Sequence, residues 1–282
     1  MMNLYPLLFK PIIKKMVWGS ESWDITCRPF SKEAEISVIE NGSLAGTAFD
    51  KAIELDRIAF LGSRVAVEAT DFPLLIKIID AKDDLSVQVH PDDAFAATKT
   101  RGLESGKSEL WYVLEGESLI AGLNKDTTAE KLRTQAMDCL NRIPVKRGDI
   151  VNIPAGLVHA ITAGVKVAEI QQNSDITFRL YDYERLGLDG KPRELHLDDG
   201  IAAVDFSNPS YAPPQFDVKK LCVDGELFEE SDPETFFIYV CVEGSCTVNG
   251  VELATERSIF IPAALGQYTI KGKATLLKVL IP

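Results

Sequence analysis

The sequence predicts a mainly β chain in which one set of strand-and-turn pieces is used twice, with a few short helices between. Three observations carry this. WYVLEGE (111–117) followed by VNIPAGLVHAI (151–161) resembles IYVCVEGS (238–245) followed by IFIPAALGQYTI (259–270). Most runs between turn signals are short and rich in Val, Ile, Tyr and Phe, the composition of half-buried strands. Beyond Pro209, Pro213 and Pro214, strand-like runs dominate to the end of the chain.

Taken in order, residues 1–25 read as an extended arm carrying Trp18 and Trp23, with a Gly19-Ser20 turn. Residues 29–35 are a polar loop and 35–40 (EISVIE) a strand, followed by a strong Asn41-Gly42 turn signal. Residues 48–60 have helical spacing, with Phe49, Ile53, Leu55 and Ile58 interleaved with charges. FPLLIKIID (72–80) is a buried strand by composition. LSVQVH (85–90) alternates, with Leu85, Val87 and Val89 against Ser86, Gln88 and His90. Residues 91–100 predict a short helix, with Pro91, Asp92 and Asp93 in its first turn. Residues 109–114 open a further strand. Residues 124–142 predict the clearest helix, with Thr127 and Glu130 as a capping box and Leu132, Ala136 and Leu140 on one face. Strands return at 145–153, 158–161, 165–172 and 176–183. The loop 185–193 follows, and then strands at 219–223, 235–242, 245–248, 258–261 and 274–280. The prolines near 209–214 divide the chain into an expected N-terminal unit, 1–207, and a C-terminal unit, 208–282.

Composition narrows the function classes. The 282 residues carry a net charge of −12, which argues against nucleic acid and anionic membranes as partners. An anionic small-molecule substrate would need a local cluster of Lys and Arg working against that field. No run is long and apolar enough for a transmembrane helix, and the N-terminus is broken by prolines and lysines, so no signal peptide is expected. Five cysteines, scattered and without a CxxC, fit a reducing cytoplasm.

The chemistry-bearing residues concentrate in one stretch. Side chains two apart share a face of a strand, so Gln88 and His90 point the same way. Glu109, if its strand lies beside the first, and His159 would complete a set of two imidazoles, a carboxylate and an amide oxygen. Imidazole and carboxylate donors suit zinc, and also iron, manganese or nickel. Only three histidines occur in the chain, and two of them fall in these runs. In DITFRLYDY, alternation places Asp175, Thr177 and Arg179 on one face. A structural ion pair is the plain reading of Arg179 beside Asp175, a solvated loop residue that of Lys107, and a structural residue that of His196.

GDIVNIPAGLVH resembles the second motif of the cupin superfamily, and Glu109 to Gly116 the end of its first, with Gln88-x-His90 where His-x-His is usual. LSVQVHPDD, KSELWYVLEG, QQNSDITFRLYDY and RELHLDDGIAAVDF together resemble type I mannose-6-phosphate isomerase in its short bacterial form. That resemblance implies a double cupin, two jelly-roll β-barrel domains, the second without metal ligands. It implies one zinc ion per chain held by Gln88, His90, Glu109 and His159, with Arg179, Lys107 and Asp175 at the active site. It implies interconversion of mannose 6-phosphate and fructose 6-phosphate through a cis-enediol, with the general base left open. Two rivals stand beside it: an iron-dependent cupin oxygenase and a non-catalytic sugar-phosphate-binding protein that keeps the metal.

Overall fold

A computed structural model describes residues 3–28, 35–69, 71–209 and 215–282. The chain is mainly β, as expected, and divides into two compact units. One comprises residues 13–22 and 77–213. The other comprises 1–12, 23–76 and 214–282. The division near residue 213 lies close to the expected one, but the units are not the sequential blocks 1–207 and 208–282. Backbone pairing explains the difference: Leu7–Lys10 runs antiparallel to Ser258–Ile261, with Leu7 opposite Phe260, so the N-terminal segment belongs with the C-terminal strands. Most of the expected 29–35 loop lies outside the described residues.

In the 13–22/77–213 unit, two sheets carry the site. A six-stranded sheet runs in the order Ile150–Ile153, Glu109–Glu115, Lys166–Gln172, Leu74–Ala81, Gly19–Ile25, Ile12–Met16. A five-stranded sheet runs Leu140–Pro144, Ser118–Leu123, His159–Ala160, Val87–Val89, Phe178–Tyr181. Trp111, Val113, Leu119, Ile153, Ile161 and Val167 form one apolar cluster of this unit. Each such fully buried aliphatic side chain adds roughly 1.5–3 kcal/mol. The alternation of Val87–Val89 sends Val87 and Val89 into a second cluster with Ile120, Leu132, Cys139 and Phe178, leaving Gln88 to face the other way.

The other unit contains the strands Asp217–Glu230, Gln267–Leu280, Phe237–Val248 and Ser258–Ile261, with three short helices at Phe49–Leu55, Arg57–Leu61 and Val65–Glu68. The internal repeat is visible in backbone register. Glu109 lies opposite Ile153 on one neighbour and Gln171 on the other. Phe237 lies opposite Ile261 and Leu280 in the same arrangement.

Several expectations need correction. The run 124–142 is not one helix. It is a helix at Ala129–Thr134, a 3-10 turn at Ala136–Cys139 and a strand at Leu140–Pro144. Thr128, not Thr127, is the N-cap, its side chain accepting from Lys131 N. Pairing of Leu140–Pro144 with Ser118–Leu123 outweighs helical propensity there. Residues 48–60 form two helices rather than one, because Asp56 leaves the helical conformation and caps the second, accepting from Ala59 N at 3.0 Å. The runs 235–242 and 245–248 are a single strand, Phe237–Val248, with an irregularity between Cys241 and Glu243. Gly244 lies there at φ +72, its missing Cβ replaced by Lys273 O, so only glycine fits.

Candidate metal centre and active site

The expected ligands converge. His159 opens its strand directly opposite Gln88, and Arg179 pairs with Gln88 from the other side. The five-stranded sheet thus sets His159, Gln88 and Arg179 in one row. Glu109 does not come from an adjoining strand, as the sequence suggested. It belongs to the six-stranded sheet and reaches the cluster from there. His90 follows the Val87–Val89 strand and packs against His159, ring centroids 4.7 Å apart.

His90, Glu109 and His159 are buried, with donor atoms all within 4.8 Å of one another. His90 Nε2 is 3.1 Å from His159 Nε2 and 3.0 Å from Glu109 Oε1. The opposite ring nitrogens are committed: His90 Nδ1 lies 3.0 Å from Ile176 O and His159 Nδ1 2.8 Å from Leu157 O. A carbonyl can only accept, so each Nδ1 carries the proton and each Nε2 presents a lone pair. Two lone pairs and a carboxylate therefore face one another in a dry space. That arrangement is repulsive unless a cation faces it; Lys107 Nζ does so from one side, and His ligands oriented by backbone carbonyls are the usual support of a metal site. The donor set fits a divalent ion. Gln88 Nε2 lies 3.3 Å from His159 Nε2, and turning the amide over would present Oε1 to the same space.

Charged neighbours tune the cluster. Lys107 Nζ is 2.8 Å from Glu109 Oε1 and 3.4 Å from His90 Nε2. Although Lys107 and Glu109 form this ion pair, Oε1 has no well-aligned hydrogen bond, which leaves it open to a cation. Burial and then Lys107 hold His90 down at about 3, and burial lowers His159 as well, so both imidazoles are neutral. Burial works to raise the Glu109 carboxyl, but the Lys107 ammonium leads the groups that outweigh it and keep it well below the usual range. Trp111 Nε1 donates to Glu109 Oε2 at 3.0 Å and to Glu169 Oε2 at 2.9 Å. Lys77 Nζ closes the network, 3.0 Å from Glu169 Oε1 and 3.7 Å from Glu21.

A cavity of about 340 Å³ adjoins the cluster, within the range of small-molecule sites. Gln88, Lys107, Asp175, Thr177 and Arg179 line it, so the face predicted from alternation is the one turned to the site. Arg179 is half-buried, and among the described residues its guanidinium makes no hydrogen bond or ion pair, so the plain alternative of a structural pair with Asp175 is not what is seen. Burial and then neighbouring Arg193 lower its pKa. Lys77, Glu169 and Arg193 also reach the cavity and were missed from sequence. A single Lys or Glu inside an otherwise apolar strand, as in FPLLIKIID and VKVAEIQQ, was the available signal.

A family model, phosphomannose isomerase type I, catalytic domain, matches residues 8–111. The mannose-6-phosphate isomerase ManA of Bacillus subtilis is 38% identical over 228 residues, covering 72% of this chain and 69% of its own. The chain belongs to the type I phosphomannose isomerase family. The mannose-6-phosphate isomerase of Streptococcus mutans is 36% identical, covering 74% of this chain and 71% of its own. The crystal structure of the mannose 6-phosphate isomerase from Bacillus subtilis superposes with a TM-score of 0.85 at 30% identity, covering 98% of this chain and 99% of that one. The fold is the cupin fold of these isomerases. Membership makes the chain an enzyme, an isomerase of mannose 6-phosphate, in a metal-dependent family. A more distant mannose 6-phosphate isomerase, 17% identical with a TM-score of 0.75, is bound with zinc and yttrium. No helix among the described residues is long and apolar enough to cross a membrane.

Proposed function

We propose that the chain interconverts mannose 6-phosphate and fructose 6-phosphate with one zinc ion held by Gln88, His90, Glu109 and His159. The observation that carries this reading is the meeting of two Nε2 lone pairs and the Glu109 carboxylate, with both Nδ1 atoms tied to carbonyls. A divalent ion there would supply Lewis-acid polarisation of the substrate oxygens.

The chain's own residues do the rest. The cis-enediol path moves a proton between C2 and C1 while negative charge builds on oxygen. Arg179, unpartnered and facing the cavity, is suited to hold that charge, and burial strengthens its field. Lys107 steadies the Glu109 carboxylate and lines the cavity, where its ammonium can also donate to substrate. Proton transfer falls to groups of the cavity wall outside the ligand set, of which Asp175 and His196, unlike Glu21 and Glu169, stand outside the Lys77 ion-pair network. The five cysteines are free thiols, which supports a reducing, cytoplasmic setting.

A coupled assay following fructose 6-phosphate from mannose 6-phosphate tests the proposal. Activity should vanish with chelator and return with zinc, and Arg179→Ala should lose activity while retaining the metal. Full turnover in metal-free protein would reject it. Tight hexose-phosphate binding without turnover would favour the non-catalytic alternative.

A further inference from the structure

The isomerisation takes place at one end of the sugar and the phosphate sits at the other. The structure separates those ends along one row of side chains. His159, Gln88 and Arg179 stand on adjacent strands, about 4.8 Å apart. The next backbone beyond Arg179 is the segment around residue 196. His196 N donates to Arg179 O at 2.8 Å, and Arg179 N lies 3.2 Å from His196 Nδ1. On the isomerase reading Arg179 stands beside the reacting carbons, and a group that reads the phosphate would come from one step further out.

Arg193 is that group. It lines the same cavity and lies near enough to Arg179 to lower its pKa. Its guanidinium is fixed in place: Nε donates to Asp182 Oδ2 at 2.6 Å and Nη2 to Asp182 Oδ1 at 2.5 Å. Asp182 is buried, and it also accepts from Arg185 Nη2 at 2.9 Å. One buried carboxylate thus serves two guanidiniums, with only the exposed Asp83 as a further anion for Arg185, at 3.4 Å. Arg185 and Arg193 are balanced by Asp182 and Asp83, so the positive charge turned to the cavity is the open edge of Arg193 together with neighbouring Arg179. The Nε–Nη2 edge of Arg193 is spent on Asp182, and Nη1 makes no hydrogen bond among the described residues. A rigid guanidinium with free donors beside a second guanidinium is built for a phosphate.

We infer that Arg193, oriented by Asp182, is the specificity residue that recognises the 6-phosphate of the hexose. The inference rests on the isomerase reading above and deepens it. It also shows how a chain with a net charge of −12 holds an anionic substrate: locally, on Arg179 and Arg193.

The test compares wild type, Arg193→Gln and Arg193→Lys, all zinc-loaded, in two measurements: KM and kcat for mannose 6-phosphate, and the inhibition constant of inorganic phosphate. Arg193→Gln should raise KM and the phosphate inhibition constant together by roughly 10- to 100-fold, the loss expected for one charge-assisted hydrogen bond. Its kcat should stay within about threefold of wild type, since uniform binding and not transition-state stabilisation is removed. Arg193→Lys, which keeps the charge but not the fork, should fall between, and it carries the test alone should the Gln variant fail to fold. A fall in kcat with KM and phosphate inhibition unchanged, or no change in any of the three, overturns the inference. A wild type that does not turn over mannose 6-phosphate overturns the isomerase reading instead.

Discussion

The Glu109 strand and the Phe237 strand share one three-strand register and do opposite things with it. At corresponding places, Glu109 meets Phe237, Trp111 meets Tyr239 and Glu169 meets Lys278. In the first, Trp111 bridges two buried carboxylates, Glu109 and Glu169, and Lys77 backs them through its ion pair with Glu169. In the second, Lys278 pairs with Glu229 at 2.6 Å and lies 4.0 Å from the Phe237 ring centroid, while the Tyr239 and Tyr268 hydroxyls bond each other at 2.6 Å. Both regions bury charge, but only the first leaves acceptors facing acceptors. The second pairs Lys278 with Glu229 and sets no acceptor cluster around an open space. The apolar face and register are set by strand patterning, whereas the site is set by a handful of residue types laid over it.

Converting the first copy toward the second breaks the comparison most severely. His159→Gln places in the first copy the residue that the repeat carries at 267. It removes one of the two lone pairs, and kcat/KM for mannose 6-phosphate should drop by more than ~100-fold, beyond the roughly 10–100-fold typical of changes behind the ligands. Metal content measured on the same preparation should fall in parallel. Retention of both would show that His159 and Gln267 are equivalent.

The buried ion pairs offer the next largest contrast. Lys77→Met leaves Glu169 beside Glu109 without its cation, and breaking a buried pair in this way should destabilise by about 3–5 kcal/mol. Lys278→Met strands Glu229, but that carboxylate is 20% exposed and water can take over, so about 1 kcal/mol is expected. Urea denaturation of both variants measures the two. Equal losses would show that the two regions bury charge at equal cost.

How much of this was legible in the sequence follows the same line. The meeting of Gln88, His90 and His159 could be read because two of the chain's three histidines fall in fixed strand patterns, and the shared face of Asp175 and Arg179 because period-two alternation assigns a face without any tertiary knowledge. The sheet that Glu109 comes from could not be read, because register within a strand says nothing of which strand faces it. The 124–142 error has the same origin: local spacing favoured a helix, and pairing with Ser118–Leu123 decided otherwise. Arg193 escaped notice because its function depends on Asp182 and Arg185, which only the turn at 182–193 brings together. The exchange of the N-terminal segment into the unit of the C-terminal strands depends on one antiparallel pair, Leu7–Lys10 with Ser258–Ile261, that no local signal marks.

A third buried acid sharpens the contrast through pH. Asp24 lies in the unit of the Phe237 strand, accepting from Ser258 N and 3.3 Å from Arg257 Nε. Burial raises its pKa to about 6 even though Arg257 pulls the other way. A carboxyl whose pKa is higher folded than unfolded binds its proton more tightly in the native state. Its contribution is therefore fully present below the unfolded value and is lost as pH rises through about 6. Asp24→Asn removes this titration while keeping an acceptor for Ser258. The stability difference between wild type and variant should shift in favour of wild type by up to about 3 kcal/mol as pH falls from 7 to 4. Glu109, depressed rather than raised, acts in the opposite direction in both proteins and cancels in the difference. A pH-independent difference would show that Asp24 stays ionised.

The smallest effect belongs to the counterpart of Trp111. Tyr239→Phe removes a hydroxyl that bonds Tyr268 at 2.6 Å and lies 3.4 Å from Glu229. Tyr268 keeps its place in the apolar cluster, and Glu229 keeps Lys278, so no charge is left without a partner. The loss should be about 1 kcal/mol, that of one neutral hydrogen bond, with activity unchanged. Trp111→Phe differs in kind, because it withdraws the one N–H shared by the Glu109 and Glu169 carboxylates and should lower activity as well as stability. If Tyr239→Phe impaired turnover as Trp111→Phe does, the second copy of the register would have to be counted as part of the catalytic apparatus rather than its support.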